Sequence, residues 1–180
     1  MAADPSPDGL TLRPARPDDA SSLAALSIEV WLSTYLRHGV NSLFADYVFS
    51  ELTPARFQSL LQQKSETFIV SQNVEGIDGF IRISEGQSPP AGLGSAVEIA
   101  TLYVQPRHHG RGLGRALLQA GLQRCADLAA PAPWLTTNSE NTAAIGFYQR
   151  MRFEITGETA FCLGSQSYPN TLLTYCPKAR

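Results

Sequence analysis

The densest concentration of chemically useful residues lies between Arg107 and Arg115. Gly110, Gly112 and Gly114 alternate there with His109, Arg111, Leu113 and Arg115, and Arg107 and His108 stand just before them. No acid interrupts the chain between Glu98 and Asp127. Upstream, Glu98 to Val104 is rich in β-branched and aromatic residues and reads as a strand. Pro106 ends it, because proline cannot extend a sheet ladder. Downstream, Leu113, Ala116, Leu117, Ala120 and Gly121 recur at helical spacing. The glycines therefore stand where a helix begins. A helix start carries unpaired N–H groups and the positive end of the dipole, and glycine lets an anion approach them closely. The chemistry this composition suits is the binding of a phosphate or pyrophosphate. The dinucleotide pattern G-x-G-x-x-G is not met, since Arg115, Ala116 and Leu117 follow Gly114. A nucleotide P-loop is not met either, because no Gly-Lys-Ser/Thr is present.

The run His109-Gly110-Arg111-Gly112-Leu113-Gly114, directly after a strand, resembles the pyrophosphate loop of the GNAT superfamily of N-acetyltransferases, Gln/Arg-x-x-Gly-x-Gly/Ala. A second stretch, Asn138 to Phe153 with Asn141, Phe147 and Tyr148, is similar to the family's Asn-x-x-Ala-x-x-Phe-Tyr-x-x-x-Gly-Phe segment. The two have the family's order and separation and together cover Glu98 to Phe153. Two positions depart from the pattern. His109 replaces glutamine or arginine, and Arg152 replaces a glycine that often takes a left-handed turn after the helix.

The resemblance implies acetyl-CoA as co-substrate and no metal. It assigns the pyrophosphate to backbone N–H groups from His109 through Gly110, Arg111, Gly112, Leu113 and Gly114 to Arg115. It assigns the pantetheine amides to backbone groups of Leu102 and Val104, with Tyr103 between them, and one N–H of this strand to the oxyanion of the tetrahedral intermediate. Tyr148 would return a proton to the leaving thiolate, and Asn141 would reach the pantetheine or neighbouring backbone. Glu98 begins the strand. An amine attacks only when neutral, so a carboxylate that takes its proton, directly or through water, is needed; some GNAT enzymes place a glutamate here. Glu29, Asp46, Glu51 and Glu85 are the other carboxylates that could serve.

Acceptor choice is expected in the N-terminal third. Met1 to Glu51 holds Asp4, Asp8, Asp18, Asp19, Glu29, Asp46 and Glu51 against Arg13, Arg16 and Arg37, with Trp31, Tyr35, Phe44, Tyr47 and Phe49 interleaved. An acidic, aromatic-lined pocket built on Trp31, Tyr35 and Glu98 would suit a cationic amine. The spacing Trp31-x-x-Thr34-Tyr35 and the run Phe161-Cys-Leu-Gly164 also look like the PaiA-type polyamine N-acetyltransferases, although Gly164-Ser-Gln-Ser lacks that subgroup's acidic pair. A polyamine is thus one candidate within the small-molecule amines. A protein N-terminus or lysine, and a CoA-binding module without catalysis, are the alternatives.

These residues need a scaffold. The sequence predicts a strand at Leu10–Arg13 and a helix from Asp19 to Leu36, capped by Asp18 or Asp19, with Leu23, Leu26, Ile28 and Val30 inward. Short helices follow at Val40–Ser50 and from Thr53-Pro54. Strands at Thr67–Ser71 and Ile77–Ser84 flank a turn at Asn73–Gly76, and Glu85–Gly94 is a loop. After the organising strand, Glu98–Val104, and its helix come a strand at Trp134–Thr137, a helix at Asn141–Met151, strand pieces at Phe153–Thr156 and Ala160–Gly164 broken near Gly157, and a last strand at Thr171–Cys176. Periodicity alone gives an α/β chain. The resemblance implies the GNAT (acyl-CoA N-acyltransferase) fold: a mixed, mostly antiparallel central sheet flanked by helices, with the organising strand splayed from the strand at Trp134. The expected organisation is a flexible N-terminal tail over residues 1–9 and a single domain over residues 10–177.

The 180 residues carry a net charge of -2, which gives no global electrostatic case for nucleic acid. No apolar run is long enough to span a membrane. Cys125, Cys162 and Cys176 have neither disulfide nor zinc spacing, which points to a reducing cytoplasm. A homodimer is left open. Cys125 is expected to be packed rather than nucleophilic.

Overall fold

The computed structural model describes residues 10–36, 39–89 and 95–177. The expected tail, residues 1–9, lies outside them, as does part of the glycine- and proline-rich loop before the organising strand. The strands are β1 (Thr11–Pro14), β2 (Glu66–Gln72), β3 (Ile77–Glu85), β4 (Val97–Val104), β5 (Trp134–Asn138), β6 (Phe153–Leu163) and β7 (Gln166–Tyr175). The helices are α1 (Ala20–Tyr35), α2 (Ser42–Glu51), α3 (Pro54–Leu61), α4 (Leu113–Asp127) and α5 (Thr142–Arg150). The strands form one mixed sheet in the order β1-β2-β3-β4-β5-β7-β6. The β4–β5 pair is parallel, while β1–β2, β5–β7 and β6–β7 are antiparallel.

The chain divides into two compact units. One extends to Arg82 and resumes over Thr101–Gly121; the other takes Ile83–Ala100 and the chain from Leu122 onward.

In the first unit, α1 and α3 lay Leu23, Leu26, Phe57 and Leu60 on Phe68 and Val70 of β2 and Phe80 of β3. Phe80 is the hub: its ring lies 6.1 Å from Phe57, edge-on, and 6.1 Å from Phe68, stacked. Offset and edge-on contacts of this kind add to the area they bury. Gly79 shows why a small residue sits beside it. A Cβ there would lie 2.9 Å from the Tyr103 carbonyl oxygen of β4 and 3.0 Å from Leu117 Cδ1 of α4. Thr53 caps α3, accepting from Arg56 N at 3.2 Å, with Pro54 as its first residue. Asn41 caps α2 by accepting from Phe44 N at 2.9 Å.

The expected cap of α1 is different. Asp19 stands at the N-cap position, but its carboxylate makes no cap to α1. It accepts instead from Arg16 N at 2.6 Å, closing the 3-10 turn over Pro17–Asp19, and pairs with Arg13 at 2.7 Å. A guanidinium offering two donors outcompetes a single helix N–H. Leu23 and Leu26 are buried and half-buried Val30 packs against the same core, as expected; Ala20, Ala24, Ser27 and Trp31 are also buried, and Ile28 is half-buried.

In the second unit, Ile83, Val97, Cys125 and Ala130 form one apolar cluster. Phe153, Leu172 and Leu173 are also buried. β6 is continuous, not broken at Gly157, and β7 begins earlier than expected. The two pair from Phe153↔Tyr175 to Leu163↔Gln166, and Thr156 is absorbed as a bulge between Ile155↔Leu173 and Gly157↔Leu172. Glycine within a strand often marks such a bulge rather than an end.

Candidate active site

β4 delivers the chain into a short 3-10 turn, Pro106–His108, and then into the glycines. Gly110 has φ +77° and Gly112 φ +84°, conformations that L side chains rarely adopt, and a Cβ on either would meet nothing within 4 Å. The first helical bond of α4 runs from Ala116 N to Gly112 O. The N–H groups of the preceding turn therefore have no intrahelical acceptor, and open space lies in front of the glycines. Leu113 is buried and anchors the turn, Gly114 is half-buried, and Arg111 and Arg115 are exposed. This cradle fits a pyrophosphate: main-chain donors, a helix start, no side chain in the way, and cations at the rim.

The side chains of the loop do not all serve it. His109 Nε2 lies 2.9 Å from the Val104 carbonyl oxygen, so the ring ties the loop back to the end of β4. Arg107, grouped with the loop cations by sequence, pairs instead with Glu29 of α1 at 3.0 Å. Glu29 also accepts from Gln105 Nε2 at 2.7 Å. The Gln105 bond and the Arg107 charge hold the Glu29 carboxyl below its ordinary pKa, against the opposing effect of burial. Glu29 is thus a committed carboxylate that fixes the root of the loop. Gln105 and Arg107 carry no sequence signal for this role, since their partner lies 76 and 78 positions away. Upstream, Tyr103 packs edge-on against Phe80 at 5.7 Å, Leu102 is half-buried and Val104 is buried.

Of the aromatic residues of the N-terminal third, Trp31, Tyr35, Phe44 and Tyr47 gather, whereas Phe49 is exposed. Trp31 is 4 % exposed, and its ring lies 4.6 Å from Tyr35, 4.9 Å from Tyr47 and 5.3 Å from Phe44. Trp31 is a packing centre, while Tyr35 and Tyr47 are half-buried around it. The acids do not gather with them. Asp19 and Glu29 are committed as above, and Asp18, Asp46 and Glu51 are exposed; Asp4 and Asp8 lie outside the described residues.

In the second unit, Glu98 is half-buried on β4 opposite Trp134 of β5. That is the one register pair between these strands among the described residues, whereas β5 pairs with β7 at five positions. A short parallel contact of this kind leaves strand edge for other partners. The buried Trp134 Nε1 has no partner among the described residues. On α5, Asn141 is the N-cap and its Oδ1 accepts from Ala144 N at 3.1 Å. The amide N–H groups are what remains for a cofactor. Tyr148 is 8 % exposed and packs against Phe147 at 5.3 Å and Phe153 at 5.6 Å. Burial pushes its phenol well above the usual tyrosine range. Cys125 is fully buried and its thiol is pushed up to about 11, which keeps it a thiol rather than a nucleophile.

A model of the acetyltransferase (GNAT) family matches residues 27–153. The chain belongs to that family. It is a GNAT acetyl-CoA-dependent acyltransferase. It is 29% identical over 147 residues to an uncharacterized N-acetyltransferase of Mycobacterium tuberculosis, covering 82% of this chain and 90% of that one. It is 33% identical over 93 residues to the peptidyl-lysine N-acetyltransferase YjaB of Salmonella typhimurium, covering 49% of this chain and 59% of that one. Among solved structures, PaiA N-acetyltransferase from Thermoplasma acidophilum in complex with coenzyme A superposes with a TM-score of 0.74 at 15% identity, covering 92% of this chain and 98% of that one. The GNAT fold of this chain is a mixed sheet of seven strands flanked by helices. Among the described residues no cluster of His, Cys, Asp or Glu could hold a metal ion, and no helix is long and apolar enough to cross a membrane.

Proposed function

We propose that this GNAT enzyme transfers the acetyl group of acetyl-CoA to the primary amine of a small molecule, by direct attack with both substrates bound. The observation that carries the cofactor half is the cradle of Gly110 and Gly112, both left-handed and open, at the start of α4. Main-chain N–H groups from His109 to Arg115 hold the pyrophosphate. Backbone groups of Leu102, Tyr103 and Val104 take the pantetheine amides at a strand edge and polarise the thioester carbonyl. The co-substrate supplies an activated acyl carbon and a thiolate leaving group. Glu98 takes the proton of the incoming ammonium, directly or through water. Tyr148 gives its proton to the departing sulfur, and its raised pKa keeps that proton in place until a strong base forms. Asn141 turns its amide N–H groups toward the cofactor. Tyr35 flanks the acceptor, with the buried Trp31 packed behind it. The three free cysteines suit a reducing cytoplasm.

A polyamine draws less support than a small amine in general, because the described acids of the N-terminal third, Asp18, Asp19, Glu29, Asp46 and Glu51, are paired or exposed rather than convergent. A protein lysine is the second reading, favoured by the likeness to YjaB. Thiol release from acetyl-CoA across polyamines, amino acids, aminoglycosides and short peptides tests both. Turnover with a free small amine supports the first reading, and turnover with peptides alone replaces it with the second. A Glu98→Gln variant with an unshifted pH–rate profile would remove Glu98 as the base.

A further inference from the structure

His109 spends its donors on the chain itself. Its Nε2 lies 2.9 Å from the Val104 carbonyl oxygen. A carbonyl only accepts, so Nε2 carries the hydrogen and the ring donates. The main chain of His109 is committed as well. Its N–H donates to Pro106 O at 3.2 Å, and the N–H of His108 donates to Gln105 O at 2.9 Å. The open part of the cradle begins one residue later, at Gly110, where a Cβ would meet nothing within 4 Å.

The direction of the Val104 carbonyl shows what the ring bond does. Across a trans peptide the C=O and the N–H of the next residue point opposite ways. Gln105 N–H donates to Asp78 O of β3 at 2.9 Å. The Val104 carbonyl is therefore turned to the other edge of β4. That edge meets β5 at Glu98 alone among the described residues, and it is the edge assigned above to the pantetheine amides. Leu102 presents its groups to the same edge, because they alternate along a strand. The imidazole thus sits on the last acceptor of the open edge, where the strand gives way to the phosphate loop.

We infer that His109 is a positioning residue for the cofactor: by donating to Val104 O it closes the end of the pantetheine edge and fixes its distance from the phosphate cradle. The inference rests on the cofactor half of the proposed function and narrows it. His109 acts through Val104 rather than on the anion, and the pantetheine amides are left with Leu102 and the Val104 N–H. A ligand that bridges two surfaces gains from their being held at the right separation, because its second contact is then made at a high effective concentration. Loosening the joint weakens the whole cofactor and spares a fragment that touches one surface.

CoA and ADP separate these roles, since both carry a pyrophosphate and only CoA carries the pantetheine arm. Calorimetry with each ligand is the first readout. Thiol release at varied acetyl-CoA, with the best acceptor of the amine panel, is the second. The variants are His109→Ala, His109→Phe, which keeps a ring without the donor, and His109→Gln, which offers an amide donor in its place. Melting curves show that each folds; His109→Phe carries the test if His109→Ala does not. His109→Ala and His109→Phe should lower CoA affinity about three- to tenfold, the scale of one hydrogen bond, while ADP affinity stays within about twofold. The KM for acetyl-CoA should rise by the same factor without a matching fall in kcat, and His109→Gln should restore most of the loss. Equal losses for CoA and ADP would put the ring on the phosphate and overturn the inference. So would CoA affinity unchanged in both His109→Ala and His109→Phe, or a loss in His109→Gln as large as in His109→Ala. Parent protein that binds neither ligand removes the cradle and the inference together, whereas CoA binding that ignores His109 removes the inference alone.

Discussion

Glu29 Oε2 accepts a hydrogen bond from Gln105 Nε2 at 2.7 Å, across 76 positions of chain. With Arg107 on the other oxygen, α1 is tied to the segment that leads from β4 into the phosphate cradle. Helix α1 therefore steadies the root of the glycine loop.

Glu29→Gln should raise the KM for acetyl-CoA about two- to fivefold with kcat nearly unchanged, the scale of a part-exposed ion pair worth up to about 1 kcal/mol. The glutamine can still accept from Gln105, so the lost element is the charge facing Arg107. The pH dependence has a definite sign. Because the folded carboxyl titrates below its ordinary value, the tie is fully present above the ordinary carboxylate range and is lost as pH falls through the lowered one. The wild-type KM should stay flat at and above about pH 5 and rise only in acid. Initial rates at varied acetyl-CoA check it, and a wild-type KM that rises between pH 8 and pH 6 would contradict it.

What the sequence makes legible follows the range of the physics. The cradle is local: glycines at alternate positions, a proline before them and an apolar stripe after them fix strand, turn and helix within a few residues. The start of α3 at Thr53-Pro54 is equally local, whereas the caps at Asn41 and Asn141 are seen only in the structure. The misreadings are non-local. Gly157 looks like a strand end until the ladder with β7 is seen to step around Thr156. Asp19 looks like a cap for α1 until Arg13 claims it. Glu29 could have been a base, and only the fold brings Gln105 and Arg107 to it. The aromatic cluster of Trp31, Tyr35, Phe44 and Tyr47 joins α1 to α2, and its side chains meet only through the fold.

Gly112→Glu should abolish CoA binding while leaving the protein folded. At φ +84° a non-glycine residue costs roughly 1–2 kcal/mol, but a Cβ there meets nothing within 4 Å, so no clash adds to the strain. The carboxylate would occupy the space in front of the α4 N–H groups and repel phosphates. Gly112→Ala carries the same strain without the charge and should retain weaker CoA binding. Calorimetry with CoA, beside melting curves of both variants, separates the two effects. Unchanged affinity in folded Gly112→Glu would remove the cradle from the site.

Tyr148→Phe should lower kcat about 100-fold, within the range for loss of a positioned general acid. Phe147 and Phe153 can pack a phenylalanine as readily, so stability should change little. The pH argument adds a finer expectation. Burial raises the folded pKa, so the phenol stays protonated through pH values where an exposed tyrosine ionises, and ionisation in the unfolded chain erodes stability only above about pH 10. Any alkaline fall in kcat below that pH must come from another group, and it should keep its midpoint in Tyr148→Phe. Full turnover in the variant would reject the acid role.

Arg152 is a non-glycine residue held at φ +71°, in the position where the family pattern has glycine. It follows Met151, the C-cap of α5, and its N–H closes the turn onto Gln149 O at 3.0 Å. Its carbonyl accepts from Cys176 N at 2.9 Å, so the backbone there is fixed from both sides and the strain cannot relax by moving. The side chain is exposed and forms no hydrogen bond or ion pair among the described residues that would compensate. Arg152→Gly should therefore stabilise the fold by up to about 1 kcal/mol, the left-handed penalty less the extra entropy glycine carries in the unfolded chain. In a chain of this length that corresponds to a rise in Tm of about 2–4 °C. Arg152→Ala removes the side chain and keeps the strain, so its melting point should match the parent. An unchanged Tm in Arg152→Gly would mean that the unfolded-state entropy of glycine cancels the relief.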